Sequence, residues 1–185
     1  MAVRWVWGAV ALLVFFSLVA SAELTETQAQ VGNDLAALRA EVSRLYGQGN
    51  YAAALWIAER YVAAARQHHG EEHIEFASAI TWLAYVYQAQ GRYAEAEPLH
   101  QRALAIREKV FGADHPDVAQ SLNNLANLYN VQGRYPEAEP LLKRALAIRE
   151  KALGPGHSDV GISLNNLANL YNAQGRRPSR STSAW

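Results

Sequence analysis

Cysteine is absent from the 185-residue chain. That removes disulfide frameworks, thiolate metal sites, iron–sulfur clusters and cysteine nucleophiles together. Six prolines and twelve glycines are too few for collagen or a low-complexity linker. An excess of one charge is missing as well, with 17 Lys and Arg against 17 Asp and Glu. No basic surplus points to nucleic acid, and no acidic surplus points to a solvating tail. The chain also lacks Gly-x-Ser-x-Gly, a glycine-rich phosphate loop and His-Glu-x-x-His. What is there is 50% apolar and 18% charged, the balance of a chain that buries a core. A binding or scaffolding protein fits, or an enzyme working with serine, histidine, lysine or carboxylates alone.

Met1 to Ala22 reads as a secretory signal peptide. Arg4 supplies the positive start, and Trp5 to Ala20 is apolar except for Gly8 and Ser17. Ala20-Ser21-Ala22 offers small residues where a signal peptidase cuts, leaving Glu23 first. The apolar stretch is short for a membrane span of about 20 residues. The expectation is a periplasmic or secreted protein, cleaved after Ala22 and free of the membrane. The alternative is an uncleaved N-terminal anchor that tethers the chain.

Beyond this segment the chain repeats itself. Gly49, Gly91, Gly133 and Gly175 follow one another at a spacing of 42. Leu45, Tyr87, Tyr129 and Tyr171 stand four residues before them, and Tyr51, Tyr93 and Tyr135 two after. Ser121–Asn130 recurs letter for letter at Ser163–Asn172, and Arg102–Lys109 at Arg144–Lys151. Such a period marks a solenoid, whose units bury their faces only against neighbours. Leu122, Leu125, Ala126 and Tyr129 lie at i, i+3, i+4, i+7, one helical stripe. Ala138, Leu141, Leu142, Ala145, Leu146 and Ile148 form a second. The spacing predicts helices near 27–48, 51–68, 73–90, 93–110, 116–132, 135–152 and 158–174. Gly112 to Asp117 breaks one unit and starts the next, with Pro116 suited to a first helical turn.

The Leu-x-x-Leu-Ala-x-x-Tyr, Gly-x-Tyr and x-Glu-Ala pattern resembles the tetratricopeptide repeat family. The 42-residue period and the strings LNNLANLY, GRYAEAEPL, RALAIREK and GADHPDV look like its kinesin-light-chain type. The resemblance is strong over 77–176 and weak over 35–76, where Glu41–Leu45 replaces the usual motif. It implies an all-α, right-handed superhelical array of antiparallel helix pairs. Its concave face, lined by the first helix of each pair, would bind protein or peptide in extended conformation. The expected organisation is a signal peptide at 1–22, a lead-in at 23–34 and an atypical first repeat at 35–76. Repeats at 77–118 and 119–160, a half repeat at 161–176 and a polar tail at 177–185 follow.

Candidate groove residues come from counting back from each glycine. Asn123, Asn127 and Asn130 share one helical face, and Asn165, Asn169 and Asn172 repeat it. Thr81, Tyr85 and Gln88 occupy the equivalent places one unit earlier. An amide offers two donors and an acceptor, so a ladder of them can grip backbone without demanding a sequence. Each asparagine costs a helix about 0.6 kcal/mol against alanine, a local penalty that points to function. Asn124 and Asn166 are expected to point elsewhere. Repeat duplication, copying one set, is the competing explanation.

His68, His69 and His73 with Glu71 and Glu72 have metal-like spacing, but Gly70 should break the helix between them. His73 aligns with His115 and His157 beside helix starts. Glu95 with Glu97 and Glu137 with Glu139 recur with the unit, as solvated or arginine-paired charges do. A catalytic pair should break the repeat instead. The expectation is a non-enzymatic scaffold with no catalytic residue, cofactor, metal or nucleic-acid partner. Leu164, Leu167, Ala168 and Tyr171 form a stripe whose own second helix is missing. It is expected to pack partly near Leu146 and Leu153 and to drive self-association through Leu164, Leu167 and Tyr171. After Gly175 the pattern lapses into Arg176–Trp185. Codon degeneracy permits Ser179–Ser183, read one base earlier after a proline codon ending in A, to become Lys-Pro-Leu-Tyr-Gln, so a frameshifted longer array competes with a polar cap. A truncated product without a separate role is a third reading.

Overall fold

A computed structural model describes residues 34–175. The signal-peptide, polar-tail and frameshift expectations lie outside the described residues, as does the lead-in but for Asp34. The described residues are all helix and turn. Helix α1 covers 34–47, then come α2 (Tyr51–His69), α3 (Ile74–Ala89) and α4 (Tyr93–Phe111). Pro116–Val131 forms α5, Tyr135–Leu153 α6 and Ser158–Ala173 α7. Each helix packs on the next in sequence, and α5 also touches α7, two first helices of neighbouring pairs. That is a superhelical array of helix pairs.

Glycine sets the geometry on a finer scale than the sequence reading counted. Gly49, Gly70, Gly91, Gly112, Gly133, Gly154 and Gly175 all have positive φ and stand 21 residues apart. Every helix turn therefore uses one, in two alternating forms. Within a pair, Gly133 at φ 73° lets the Arg134 N–H reach back to the Tyr129 carbonyl at 2.8 Å. This six-to-one bond closes the helix C-terminus. Arg134 then lays its guanidinium over the Tyr129 ring at 4.1 Å, and Arg92 covers Tyr87 in the same way at 4.3 Å. The Tyr-x-x-x-Gly-Arg spacing thus builds a cap and its cover together. Between pairs, Gly112 at φ 85° ends α4 with its N–H on the Glu108 carbonyl. His115 then starts α5, its Nδ1 accepting the Asp117 N–H at 3.2 Å. His73 and His157 cap α3 and α7 identically.

The core is a chain of small clusters rather than one mass. Ala84, Ala96, Ala126 and Ala138 are fully buried, which lets the paired axes approach closely. Leu125, Leu128, Leu142 and Leu170 close the same cluster. The atypical first repeat solves its packing with Val42 and Leu45 against Ala54, Ile57 and Ala58. Helix α7 is seated by Val160, Ser163 and Leu170. Its own stripe is left partly open: Leu164 is 50% exposed, whereas the equivalent Leu122 in α5 is 0% exposed. The two helices are identical at twelve of sixteen positions; Leu122 clusters with Ala145 and Ile148 of α6, and among the described residues no helix stands in that place beside Leu164.

Candidate functional site

The first helices of successive pairs line a shared inner face. Between α3, α5 and α7 lies a groove of about 280 Å³ whose walls include Tyr46, Tyr85, Gln88, Gln120, Asn124 and Ile162. A smaller hollow of about 50 Å³ adjoins it, lined by Asn130, Leu142, Asn166 and Asn169. Asn123 and Asn127 border both. No charged side chain lines either one.

The predicted ladder divides on this geometry. Tyr85, Gln88, Asn123, Asn127, Asn130 and Asn169 reach the groove or its hollow. Gln88 donates to Asn127 Oδ1 at 2.8 Å, joining neighbouring repeats. Thr81 is instead buried and its hydroxyl is spent internally, donating to the Ala77 carbonyl at 2.7 Å. It also accepts from Arg107 Nη1 at 3.2 Å. Asn165 and Asn172 are exposed and line neither cavity. Asn124 and Asn166, expected to point elsewhere, line the groove. The groove axis follows Gln120, Asn124 and Asn127, and Ile162, Asn166 and Asn169. Asn165 sits about 100° round the helix from Asn166. In α5, which has a first helix on either side, both asparagines of the pair border the groove.

Two arginines hold this face from behind, and the sequence reading passed over them inside the repeated RALAIREK string. Arg107 donates from Nη1 to Ser121 Oγ at 2.8 Å as well as to Thr81. Arg149, one period later, is 2% exposed. Its Nη1 reaches Ser163 Oγ at 2.7 Å and the Asp159 carbonyl at 3.3 Å, while Nη2 reaches Gln120 Oε1 at 2.9 Å. The Asn123 amide turns its oxygen to the same guanidinium, 2.6 Å from Nη1 and 3.3 Å from Nη2. A guanidinium has no acceptor, so only the amide oxygen fits there. Burial pushes both arginines below their ordinary basicity. Recurrence with serine 14 residues later, Arg107–Ser121 and Arg149–Ser163, was the signal available in the sequence.

Behind Tyr85 lies His100, 2% exposed, with its Nε2 buried and unpartnered. The two rings meet edge to face, 5.6 Å between centroids. Burial, and secondarily the charge of Arg107, push the imidazole down to about 4. Tyr85 joins Tyr46 and Trp82 in a cluster with centroids 5.6–6.3 Å apart.

The histidine and carboxylate clusters have architectural roles. His69 and His73 stack across Gly70 at 4.4 Å, and His73 is the cap of α3. Among the described residues no three His, Asp or Glu gather closely enough to hold a metal ion. Arg92 pairs with Glu95 at 2.9 Å and Arg134 with Glu137 at 2.5 Å. Glu97 bridges repeats, receiving Arg134 at 2.6 Å and the Tyr129 hydroxyl at 3.0 Å. Tyr171 repeats that bond to Glu139 at 3.0 Å. No helix among the described residues is long and apolar enough to cross a membrane.

Comparison with known proteins agrees with the fold. The tetratricopeptide repeat profile matches residues 75–151 and 117–179, together more than half of the chain. The crystal structure of the nearly identical TPR-like repeats of a kinesin light chain-like protein from Podosopora anserina is 30% identical. It superposes with a TM-score of 0.70 over 77% of this chain and 67% of that one. BtubC (BKLC) from P. vanneervenii shares the fold at 21% identity and a TM-score of 0.69, over 82% of this chain and 69% of that one. No curated protein matches the chain.

Proposed function

Since the chain belongs to the tetratricopeptide repeat family and is built as a protein-interaction scaffold, we propose that its amide groove is the docking site. The ligand is a protein segment in extended conformation, and the chain performs no catalysis. One observation carries this reading. Asn124, Asn127, Asn166 and Asn169 from adjacent repeats border a groove and a smaller hollow that share Asn127 and Asn166, and no charged side chain lines either. Amides so placed can bond a backbone at successive residues without selecting its side chains. The test is selection of a displayed random dodecapeptide library on the protein, with an Asn127→Ala/Asn169→Ala double variant as counter-screen. Groove binding predicts sequences that are enriched on the native protein and lost on the variant. Enrichment indifferent to the variant refutes it.

Two further parts of the proposal rest on other observations. Export from the cytoplasm to a periplasmic or extracellular site is supported by the Met1–Ala22 pattern alone. Mass spectrometry of the native N-terminus tests it, with Glu23 first as the expected result and an intact Met1 as the refutation. Self-association through Leu164, Leu167 and Tyr171 is supported by the 50% exposure of Leu164 and 52% exposure of Ile162 on α7. Light scattering that shows a monomer across a wide concentration range refutes it.

A further inference from the structure

Helix α6 is fastened to the repeat before it by an apolar stripe and an arginine, and α7 with the edge of α6 presents the receiving half of both. On the apolar side, α5 buries Ala119, Leu122 and Ala126 completely. Ala119 and Leu122 cluster with Ala145 and Ile148 of α6, and Ala126 with Ala138 and Leu142. In α7 the same places hold Gly161, Leu164 and Ala168, the first two exposed and the third half-buried. On the charged side, Arg144 stands directly before Ala145 and pairs with Glu108 of α4 at 2.7 Å. It also donates to the Ala113 carbonyl at 3.2 Å. Glu150 is the counterpart of Glu108 one period later. It is exposed, and its carboxylate has no partner among the described residues. A further contact stops short of this end. Lys109 reaches Glu72 at 2.8 Å and Lys151 reaches Asp114 at 2.5 Å, each on the loop before its own repeat. In the next loop Gly156 stands where that acid would be.

The open end therefore matches a helix reading Ala-x-x-x-Leu-x-Arg-Ala-x-x-Ile, the pattern of Ala138–Ile148, and has no use for the lysine seven residues after the arginine. The α7 of a second copy fits less well. Asp159 is its only charged residue, so it brings no cation to Glu150. The second helices of another copy already spend this stripe within their own array. The sequence of Arg176–Trp185 does not carry the stripe either. An amphipathic helix from another protein can bring both the apolar face and the cation. We propose that α7 and the edge of α6 form a second docking surface, separate from the amide groove, for such a helix. Its small and branched apolar residues pack on Leu164 and Ala168, and its arginine pairs with Glu150. Copies of the chain compete for the same apolar stripe when the helix is absent.

The assay is fluorescence anisotropy of a labelled peptide with the sequence Arg134–Leu153, added in trans to the full chain. Binding is expected, weakened about tenfold or more by Leu164→Glu in the protein, because the peptide's apolar stripe then covers a charge. Arg144→Glu in the peptide should weaken binding about threefold to tenfold, as an exposed attraction becomes a repulsion. Glu150→Arg in the protein should restore that peptide and weaken the native one. Lys151→Ala in the peptide should change nothing, since Gly156 offers it no partner. Absence of binding, binding indifferent to Leu164→Glu, or a charge swap that restores nothing overturns the proposal. Binding lost with Asn127→Ala/Asn169→Ala places the peptide in the amide groove and overturns it as well. Self-association that a saturating excess of peptide leaves intact gives the face to a second copy, and the proposal falls.

Discussion

His100 makes a pH dependence that one substitution should erase. The same position one period later is Leu142, a core residue 4% exposed, so leucine is already accommodated at this register. His100 is buried, its Nε2 has no partner, and its affinity for a proton is pushed down to about 4. An unfolded histidine titrates near 6.5. Between these values the unfolded chain binds the proton and the folded one does not, so acid favours unfolding. The stability at stake is fully present above about pH 6.5, declines as the pH falls towards 4, and is constant below. Linkage over pH 7 to 5 gives a loss of about 2 kcal/mol. The paired carboxylates Glu41, Glu72, Glu95, Glu97, Glu137 and Asp114 are held below their ordinary range by lysine or arginine partners. Their losses begin at lower pH and leave this window to the histidine. A change of 1 kcal/mol moves the melting temperature of a chain this size by about 2–4 °C. The native protein should therefore melt roughly 4–8 °C lower at pH 5 than at pH 7. His100→Leu should flatten that slope and raise stability at pH 7 by about 1–2 kcal/mol, because an orphaned buried nitrogen is removed. Circular-dichroism melts at half-unit pH steps read both. Parallel pH profiles for the two proteins would refute the assignment to His100.

The remaining expectations separate groove from frame. Asn127→Ala/Asn169→Ala should leave the melting temperature unchanged or slightly raised, since both residues are exposed and alanine is the better helix former. Asn123→Ala should instead cost about 1–3 kcal/mol, because it strips a buried guanidinium of its amide oxygen; chemical denaturation compares them. Arg149→Met should loosen α7 from the array, as it deletes bonds to Ser163 and the Asp159 carbonyl, and hydrogen exchange should quicken over Ser158–Ala173 before other helices. Gly112→Ala should cost about 1–2 kcal/mol through its φ of 85° alone, because a Cβ there meets nothing within 4 Å. Leu164→Glu should leave the melt unchanged and abolish concentration-dependent scattering, since this side chain is half exposed in the single chain.

The periodic features were legible because each is a local rule written several times. Apolar residues at i, i+3, i+4 and i+7, a glycine after each helix and identical decapeptides place seven helices to within about a residue where they are described. The predicted start of the helix ending at residue 47 lies outside those residues. Backbone geometry accounts for this legibility. A positive-φ turn needs glycine wherever it occurs, and a helical stripe has one period whatever it packs against. Even so, the glycine rhythm of 21 was visible only in half, since Gly70, Gly112 and Gly154 follow helices with different last turns. The groove was harder. Its asparagines stand out in the sequence, but their division into working and structural members depends on what lies behind them. Asn123 and Asn127 are four residues apart on one face. Asn123 is committed to Arg149, a side chain from the helix that follows, while Asn127 is open to solvent. His100 likewise occupies a leucine register, and its depressed basicity comes first from burial under the neighbouring helices and then from Arg107, two turns further along the same helix. Sequence alone thus determined the repeat, its caps and its helix pairs, because those rest on dihedral angles and periodicity within some twenty residues. Tertiary packing decided which amides lost their oxygens, which threonine was spent and which histidine was orphaned, because desolvation and hydrogen-bond competition belong to groups from different helices brought within about 3 Å of one another.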